Sequence, residues 1–221
     1  ATPCALGQQP TEYDGVLHPL ADDEQLAFAL LHSLDDAQRA RAVVHDVAPA
    51  DFVTRQVPAI GAFEVPDHYD LGMPGYTITD VDRKALTLTR EAPSGIGGDE
   101  LGPAQQEALW RLLDCYLQRL PAESAAAHTA ELRERGIGRV HFAWAGAQRR
   151  GAPHYFRVQT DRFLVEAVNA VAGGNHLHTV LRDVGEDFAA GLLRSRAGTD
   201  GRWGRGHLSS RTTSSAAAGE R

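Results

Sequence analysis

Two histidines separated by one residue, His176 and His178, have the type and spacing that best suit chemistry in this chain. They lie in Asn175-His176-Leu177-His178, which has the alternation of a β-strand, and side chains two apart in a strand project from the same face. Their Cα atoms would lie ~6.5 Å apart, so that two imidazoles could converge on one metal ion at ~2.1 Å each. The spacing predicts a metal site, although two structural histidines bonded to neighbouring groups would show the same pattern.

Five further residues could complete such a site. His154 and His141 each begin a predicted strand, and either could supply a third ligand. Glu166 lies within an apolar strand, where an unpaired charge is costly, so it needs a partner. If Glu166 is a metal ligand, its partner is the metal ion, and if it is a general base, its partner is a proton of the substrate. Otherwise its partner is Arg157 or Arg182 in an ion pair. The two arginines could instead orient an anionic substrate.

The leading hypothesis is therefore a metal-dependent enzyme that acts on a small molecule. Nitrogen and oxygen donors without a thiolate suit zinc, copper or iron, and the sequence does not choose among these divalent transition metals. The competing hypothesis is a non-catalytic binding or structural domain, in which the histidines, the glutamate and the arginines form a satisfied polar network. The sequence contains no phosphate-cradling glycine loop, nucleophile elbow or dinucleotide fingerprint.

Composition limits the partners of the chain. It has 221 residues, 43% of them hydrophobic, and a formal net charge of −7, which argues against nucleic-acid and anionic-membrane binding. No apolar run approaches the ~18 residues of a membrane span, and no signal peptide is visible, which favours the cytoplasm. The chain starts with Ala1 rather than Met, so we expect that upstream sequence has been removed. Two cysteines do not make a disulfide framework.

The elements that must position these residues differ between the two parts of the chain. Leucines at helical spacing predict two consecutive helices over 22–47, joined near Ser33, and further helices over 103–120 and 121–135. β-prone runs at 76–79 and 86–89 predict a small hairpin with its turn at 80–83.

From residue 139 the hydrophobic period changes to two. Strands are predicted over 139–145, 154–159, 162–169 and 175–182, and their short connections favour an antiparallel meander. A short helix over 183–194 would close the domain. The predicted fold is a single α+β domain over 1–196, with N-terminal helices packed on a C-terminal, mainly antiparallel four-stranded sheet. Residues 197–221 are rich in small polar residues and are predicted to be disordered.

Ordered motifs in the C-terminal half resemble a known family. The chain is similar to the uncharacterised bacterial family called domain of unknown function 3500, and the resemblance covers roughly residues 1–194. The motifs that carry it are the strand-forming segments His141–Gly146, 153–159, 163–166 and 175–183, with the helical stretches 26–43 and 101–121. The resemblance implies no established activity.

Two departures from the family pattern bear on function. Family members usually have an acidic residue and an asparagine shortly after the strand glutamate, whereas Glu166 is followed here by Ala167-Val168-Asn169. Family members also tend to have a β-rich N-terminal portion with a Gly-His-His motif, which this chain lacks. We therefore expect an incomplete family unit with weak or no activity, which self-associates through an unpaired sheet edge.

Overall fold

A mixed seven-stranded sheet and five α-helices are defined within residues 2–15, 18–54, 79–89 and 91–192, which this computed structural model describes. All of these elements belong to one compact unit, Ala1–Ala189. The helices are α1 (Ala21–Ser33), α2 (Asp36–Ala42), α3 (Asp80–Leu86), α4 (Pro103–Leu117) and α5 (Ala122–Arg135). The strands are β1 (Cys4–Gln8), β2 (Val43–His45), β3 (Ile96–Gly97), β4 (His141–Gly146), β5 (His154–Gln159), β6 (Phe163–Asn169) and β7 (Leu177–Asp183). The α+β class is confirmed.

The predicted meander forms the centre of the sheet. Strands β4 to β7 pair antiparallel in chain order, with Val168 opposite His178 in the last pair. The prediction of a four-stranded sheet is wrong, because β1 adds to β7, β2 adds parallel to β4, and β3 also pairs with β4. The short β1 contains Ala5 and Gly7 and lacks a strand pattern, so its pairing with β7 depends on a contact distant in sequence.

The first helical block ends earlier than predicted. The junction near Ser33 is confirmed, because α2 restarts behind Asp35, whose side chain accepts a hydrogen bond from the Gln38 N–H at 2.8 Å. The chain leaves the helix at Val43 and runs as β2 beside β4 instead of continuing to residue 47. The helix predicted over 103–120 ends at Leu117. The helix predicted over 121–135 is present as α5 and ends at Gly136, which adopts a φ of 86°.

The predicted hairpin is wrong where the structure describes it. Residues 80–83, the predicted turn, instead begin α3, because Thr79 and Asp82 form reciprocal capping hydrogen bonds. Residues 76–78 lie outside the described residues, as does the tail from 193 onwards, for which disorder remains a prediction. Within the predicted closing helix, the described unit has a 3-10 turn at Asp187–Ala189. No helix of the described residues has the length and apolarity needed to cross a membrane.

The two faces of the sheet are covered differently. One face, the helix face, packs against α1 and α4 in the main hydrophobic core, which includes Trp144, Phe156, Val165, Phe28 and Leu113. The opposite face, the loop face, is covered by α3 and by the irregular segments 46–54, 87–89 and 91–94. Its smaller apolar core consists of Ala48, Val53, Leu86, Leu88, Ala145, Tyr155, Leu164, Val168 and Ala170.

Candidate functional site

The strand register places most of the predicted site residues on the loop face. Tyr155, Val168 and His178 are successive cross-strand partners and form one row of this face. Arg157 and Glu166 are partners in the next row. Because partners in an antiparallel sheet share a face, the diagonal neighbours His178 and Glu166 have Cα atoms roughly 7–8 Å apart.

The rings of His176 and His178 converge. Their Nε2 atoms are 2.8 Å apart and their ring centroids 4.5 Å apart, with the planes nearly perpendicular. His178 lies in β7 with 40% of its side chain exposed, and His176 directly precedes the strand. The backbone N–H of His176 donates to the Asn169 side-chain oxygen at 2.8 Å. A proton between the two nitrogens, or one ion bound by both lone pairs, would account for this geometry.

A short segment of the loop face lies against His178. The Asp51 Oδ1 atom is 4.0 Å from the His178 Nδ1 atom, and the Phe52 ring centroid is 6.1 Å from that of His178. A carboxylate on the Nδ1 side favours the tautomer with its proton on Nδ1, which leaves the Nε2 lone pair available.

Glu166 is fully buried and holds this segment on the sheet. Its Oε1 atom accepts hydrogen bonds from the Val53 N–H at 2.7 Å and from the Tyr155 hydroxyl at 2.9 Å. Its Oε2 atom accepts from the Thr54 N–H at 3.3 Å and from the Thr54 hydroxyl. Both oxygens are thus occupied by residues of the described chain, and these bonds do not go to Arg157, the cross-strand partner. Glu166 is therefore placed as an anchor of residues 53–54.

The two predicted substrate-binding arginines are also buried. Arg157 is 1% exposed and donates to the Leu86 carbonyl at 3.2 Å, the Thr87 carbonyl at 3.5 Å and the Ser94 hydroxyl. Arg182 is also 1% exposed, and its Nε atom donates to Asp187 Oδ2 at 2.6 Å. These contacts hold the covering segments and the turn after β7.

The structure does not bring His154 or His141 to the histidine pair. His154 lies on the helix face, stacked on Trp144 at 5.3 Å, so the sheet separates it from His178. His141 begins β4 at the opposite end of the loop face, four residues or roughly 13 Å along the strand from the row of His178. Burial lowers the pKa of His141, although nearby carboxylates partly oppose this effect. The described residues contain no group of three or more histidine, cysteine, aspartate or glutamate side chains placed to hold a metal ion.

Two residues that support the histidine pair are not among the site residues predicted from the sequence. Asn169, at the end of β6, links the backbone of His176 to the carboxylate of Glu24, to which its Nδ2 atom donates at 2.7 Å. An amide between Val168 and Ala170 was a visible signal, because a polar group in an apolar run needs a partner. The sequence alone does not identify Asp51, because only the tertiary fold brings it close to His178.

Fold and site together define an α+β protein whose mixed sheet has one apolar face and one face bearing buried charges. The chain belongs to the family described as protein of unknown function DUF3500, whose model matches residues 1–190. No curated protein and no solved structure matches the chain.

Proposed function

We propose that the chain binds a divalent transition-metal ion through His176 and His178. The observation that supports this proposal is the 2.8 Å separation of the two Nε2 atoms at a partly exposed position. With nitrogen–metal distances of ~2.1 Å, this separation corresponds to an angle of roughly 85° at the ion, whereas a tetrahedral site needs roughly 3.4 Å. Adjacent positions of a square-planar or octahedral ion have such an angle, which favours copper or iron over zinc.

Two protein ligands would leave coordination positions for water and for a substrate. A metal ion with open positions polarises a bound oxygen or lowers the pKa of bound water, which is the basis of the proposed enzyme activity. Asp51 would fix the tautomer of His178, and Asn169 would fix the backbone of His176. Glu166 enters this proposal as the anchor of the segment that bears Asp51 rather than as a base.

The test is metal binding by the full chain without an affinity tag. Calorimetric titration with Cu²⁺, Fe²⁺ and Zn²⁺ should give one binding site for each ion. When the affinity of each ion for the protein is divided by its affinity for free imidazole, Zn²⁺ should have the lowest ratio. His176→Ala or His178→Ala should weaken binding by roughly tenfold or more. The control is His32→Ala, because His32 is an exposed imidazole that bonds the Gln148 carbonyl far from the pair. Unchanged binding in the double variant would overturn the proposal.

A second candidate is a non-catalytic structural or binding domain. It is supported by the bonding of Glu166 and Arg157, which are both occupied by backbone and hydroxyl groups of the covering segments. Under this alternative the two histidines only form a hydrogen bond with each other at a partly exposed position. The His176→Ala/His178→Ala double variant would then melt at a lower temperature than the wild type, because it loses this hydrogen bond. Added metal would not raise the melting temperature of either protein.

A further inference from the structure

A cleft of about 200 Å³ lies at the end of the sheet on the side of the helix face. The start of α1 and the residues after β1 form one wall, and residues 150–151 and Gly174 form the other. Leu20 and Leu177 contribute apolar surface. Its charged lining residues are Glu12, Glu24 and Arg150, with His18 beside them.

Glu24 connects this cleft to a buried histidine. The Glu24 side chain is 14% exposed, and its Oε1 atom is 3.0 Å from the Nε2 atom of His154, which is 1% exposed. The ring of His154 is enclosed by Trp144, stacked at 5.3 Å, and by the edge-on ring of Phe28 at 4.9 Å. Asn169 donates to the same Oε1 atom of Glu24 at 2.7 Å.

The hydrogen bond between His154 and the Ala152 carbonyl fixes the position of one imidazole proton. The Nδ1 atom of His154 is 2.9 Å from the Ala152 carbonyl oxygen, which can only accept, so Nδ1 carries a proton. Burial alone raises the pKa of Glu24, but the hydrogen bonds and charge of His154, the hydrogen bond of Asn169 and the charge of Arg150 outweigh burial and lower it. At neutral pH Glu24 is therefore a carboxylate, held in place by His154 and Asn169.

Two groups of the cleft remain available to a ligand. Glu24 lines the cleft, and both of its contacts use Oε1, so within the described residues no hydrogen bond to Oε2 occurs. Arg150 is exposed, and its guanidinium lies 5.8 Å from the ring centroid of Phe28. No hydrogen bond to the guanidinium occurs within the described part of the chain. The cleft thus combines a carboxylate oxygen that accepts with a guanidinium that donates.

We infer that this cleft binds a compact zwitterion of the amino-acid class, with its ammonium group at Glu24 and its carboxylate at Arg150. Glu24 and Arg150 offer one charge of each sign in the same cleft. A ligand that carries one charge of each sign can pair with both groups at once, whereas a simple amine or a simple acid can pair with only one of them. The volume of about 200 Å³ admits only a small member of the class. This inference is independent of the metal proposal.

The experiment is a nuclear magnetic resonance titration of the full chain with β-alanine and glycine as zwitterionic probes, and with ethylamine and acetate as single-charge probes. We expect saturable shifts of the His154 ring and of the Asn169 side-chain amide, with the better zwitterion binding roughly tenfold or more tighter than either single-charge probe. Glu24→Gln, which keeps the size of the side chain, should remove the ammonium contribution and equalise β-alanine and acetate.

A matched pair of arginine variants separates a cleft contact from general charge. Arg150→Gln should weaken β-alanine binding to the level of ethylamine, whereas Arg149→Gln, at an exposed neighbour that does not line the cleft, should leave it unchanged. Arg150 is exposed, so its replacement tests the inference even if the Glu24 variant does not fold. Absence of saturation with both zwitterions, or equal effects of the two arginine variants, would overturn the inference.

Discussion

The helix face and the loop face of the same sheet are stabilised by different interactions. On the helix face, Trp144, Phe156 and Val165 pack against apolar side chains of α1 and α4. On the loop face, buried Glu166 and Arg157 occupy the centre of the sheet, with only a small apolar core around them. The same strands therefore present apolar side chains on one side and a mixture of charged and apolar side chains on the other.

The covering element explains the difference. A helix satisfies most of its own backbone hydrogen bonds, so the sheet face beneath it needs only apolar surface. The irregular segments over the loop face carry backbone groups that need partners. Glu166 accepts from the N–H groups of residues 53–54, and Arg157 donates to the carbonyls of residues 86–87. Gln159 adds a bond to the Thr89 carbonyl at 2.6 Å. The buried charges of Glu166 and Arg157 are thus paired with polar groups of the covering segments.

The largest effect should come from the centre of this polar face. Glu166→Ala removes the acceptor of Val53, Thr54 and Tyr155 together and should lower the free energy of unfolding by about 3–5 kcal/mol in urea denaturation. Trp144→Ala on the helix face should cost a similar ~3–5 kcal/mol through cavity formation. Hydrogen exchange separates the two, because only the Glu166 variant should lose selective protection of the Val53 and Thr54 amides. Equal exchange profiles would contradict the proposed difference between the faces.

Arg157→Met should have a smaller and more local effect. It leaves the Leu86 and Thr87 carbonyls without their donor, and we expect a loss of about 1–3 kcal/mol in the free energy of unfolding. Proteolysis should become faster in the 86–94 segment and stay unchanged in α4. Arg111→Met, at an exposed position of α4, is the matched control and should change stability by less than about 0.5 kcal/mol. Uniform destabilisation without faster local cleavage would argue against the anchoring role.

Adjacent residues of β6 allow the two faces to be compared for metal binding. Val168 is buried directly opposite His178, so Val168→Asp places a carboxylate beside the histidine pair and should tighten metal binding by roughly tenfold or more. Without metal, the same variant should lose about 1–3 kcal/mol of stability, because it buries a polar group. Ala167→Asp is the control, since Ala167 belongs to the core of the helix face. Equal metal affinity of the two variants would contradict the assigned site.

The smallest effect concerns the contact between Glu24 and His154 on the helix face. The pKa of Glu24 is lowered in the folded protein, so its stabilising contribution is present above its ordinary value of 4.5 and is lost as the pH falls through the lower folded value. Glu24→Gln should therefore cost about 1 kcal/mol at neutral pH and lose less stability than the wild type on acidification below pH 4.5. Chemical denaturation at both pH values measures this difference. Parallel acid profiles of the two proteins would show that the contact contributes nothing.

Much of the fold could be predicted, because local patterns report local structure. The leucine spacing of α4 and the alternation of β4 to β7 are repeated within short segments, and short connections imply antiparallel neighbours. The errors arose where a segment lacks such a pattern. β1 is short and contains small residues, and β2 continues the apolar spacing of the preceding helix. Both became strands because a meander edge was available to pair with them.

For the site, the sequence by itself indicated through strand alternation that His176 and His178 could converge. The predicted strand over 175–182 begins only at Leu177, so His176 lies just before it and the tertiary structure brings its ring to His178. The sequence also indicated that Glu166, Arg157 and Arg182 need partners, because buried charge is costly. The tertiary structure alone decided which partners they have. It placed the sheet between His154 and the pair, and it laid residues 51–54 against β6, more than a hundred positions away in the chain. Hydrogen bonding between such distant segments depends on how the chain returns to the sheet, and no local periodicity encodes that path.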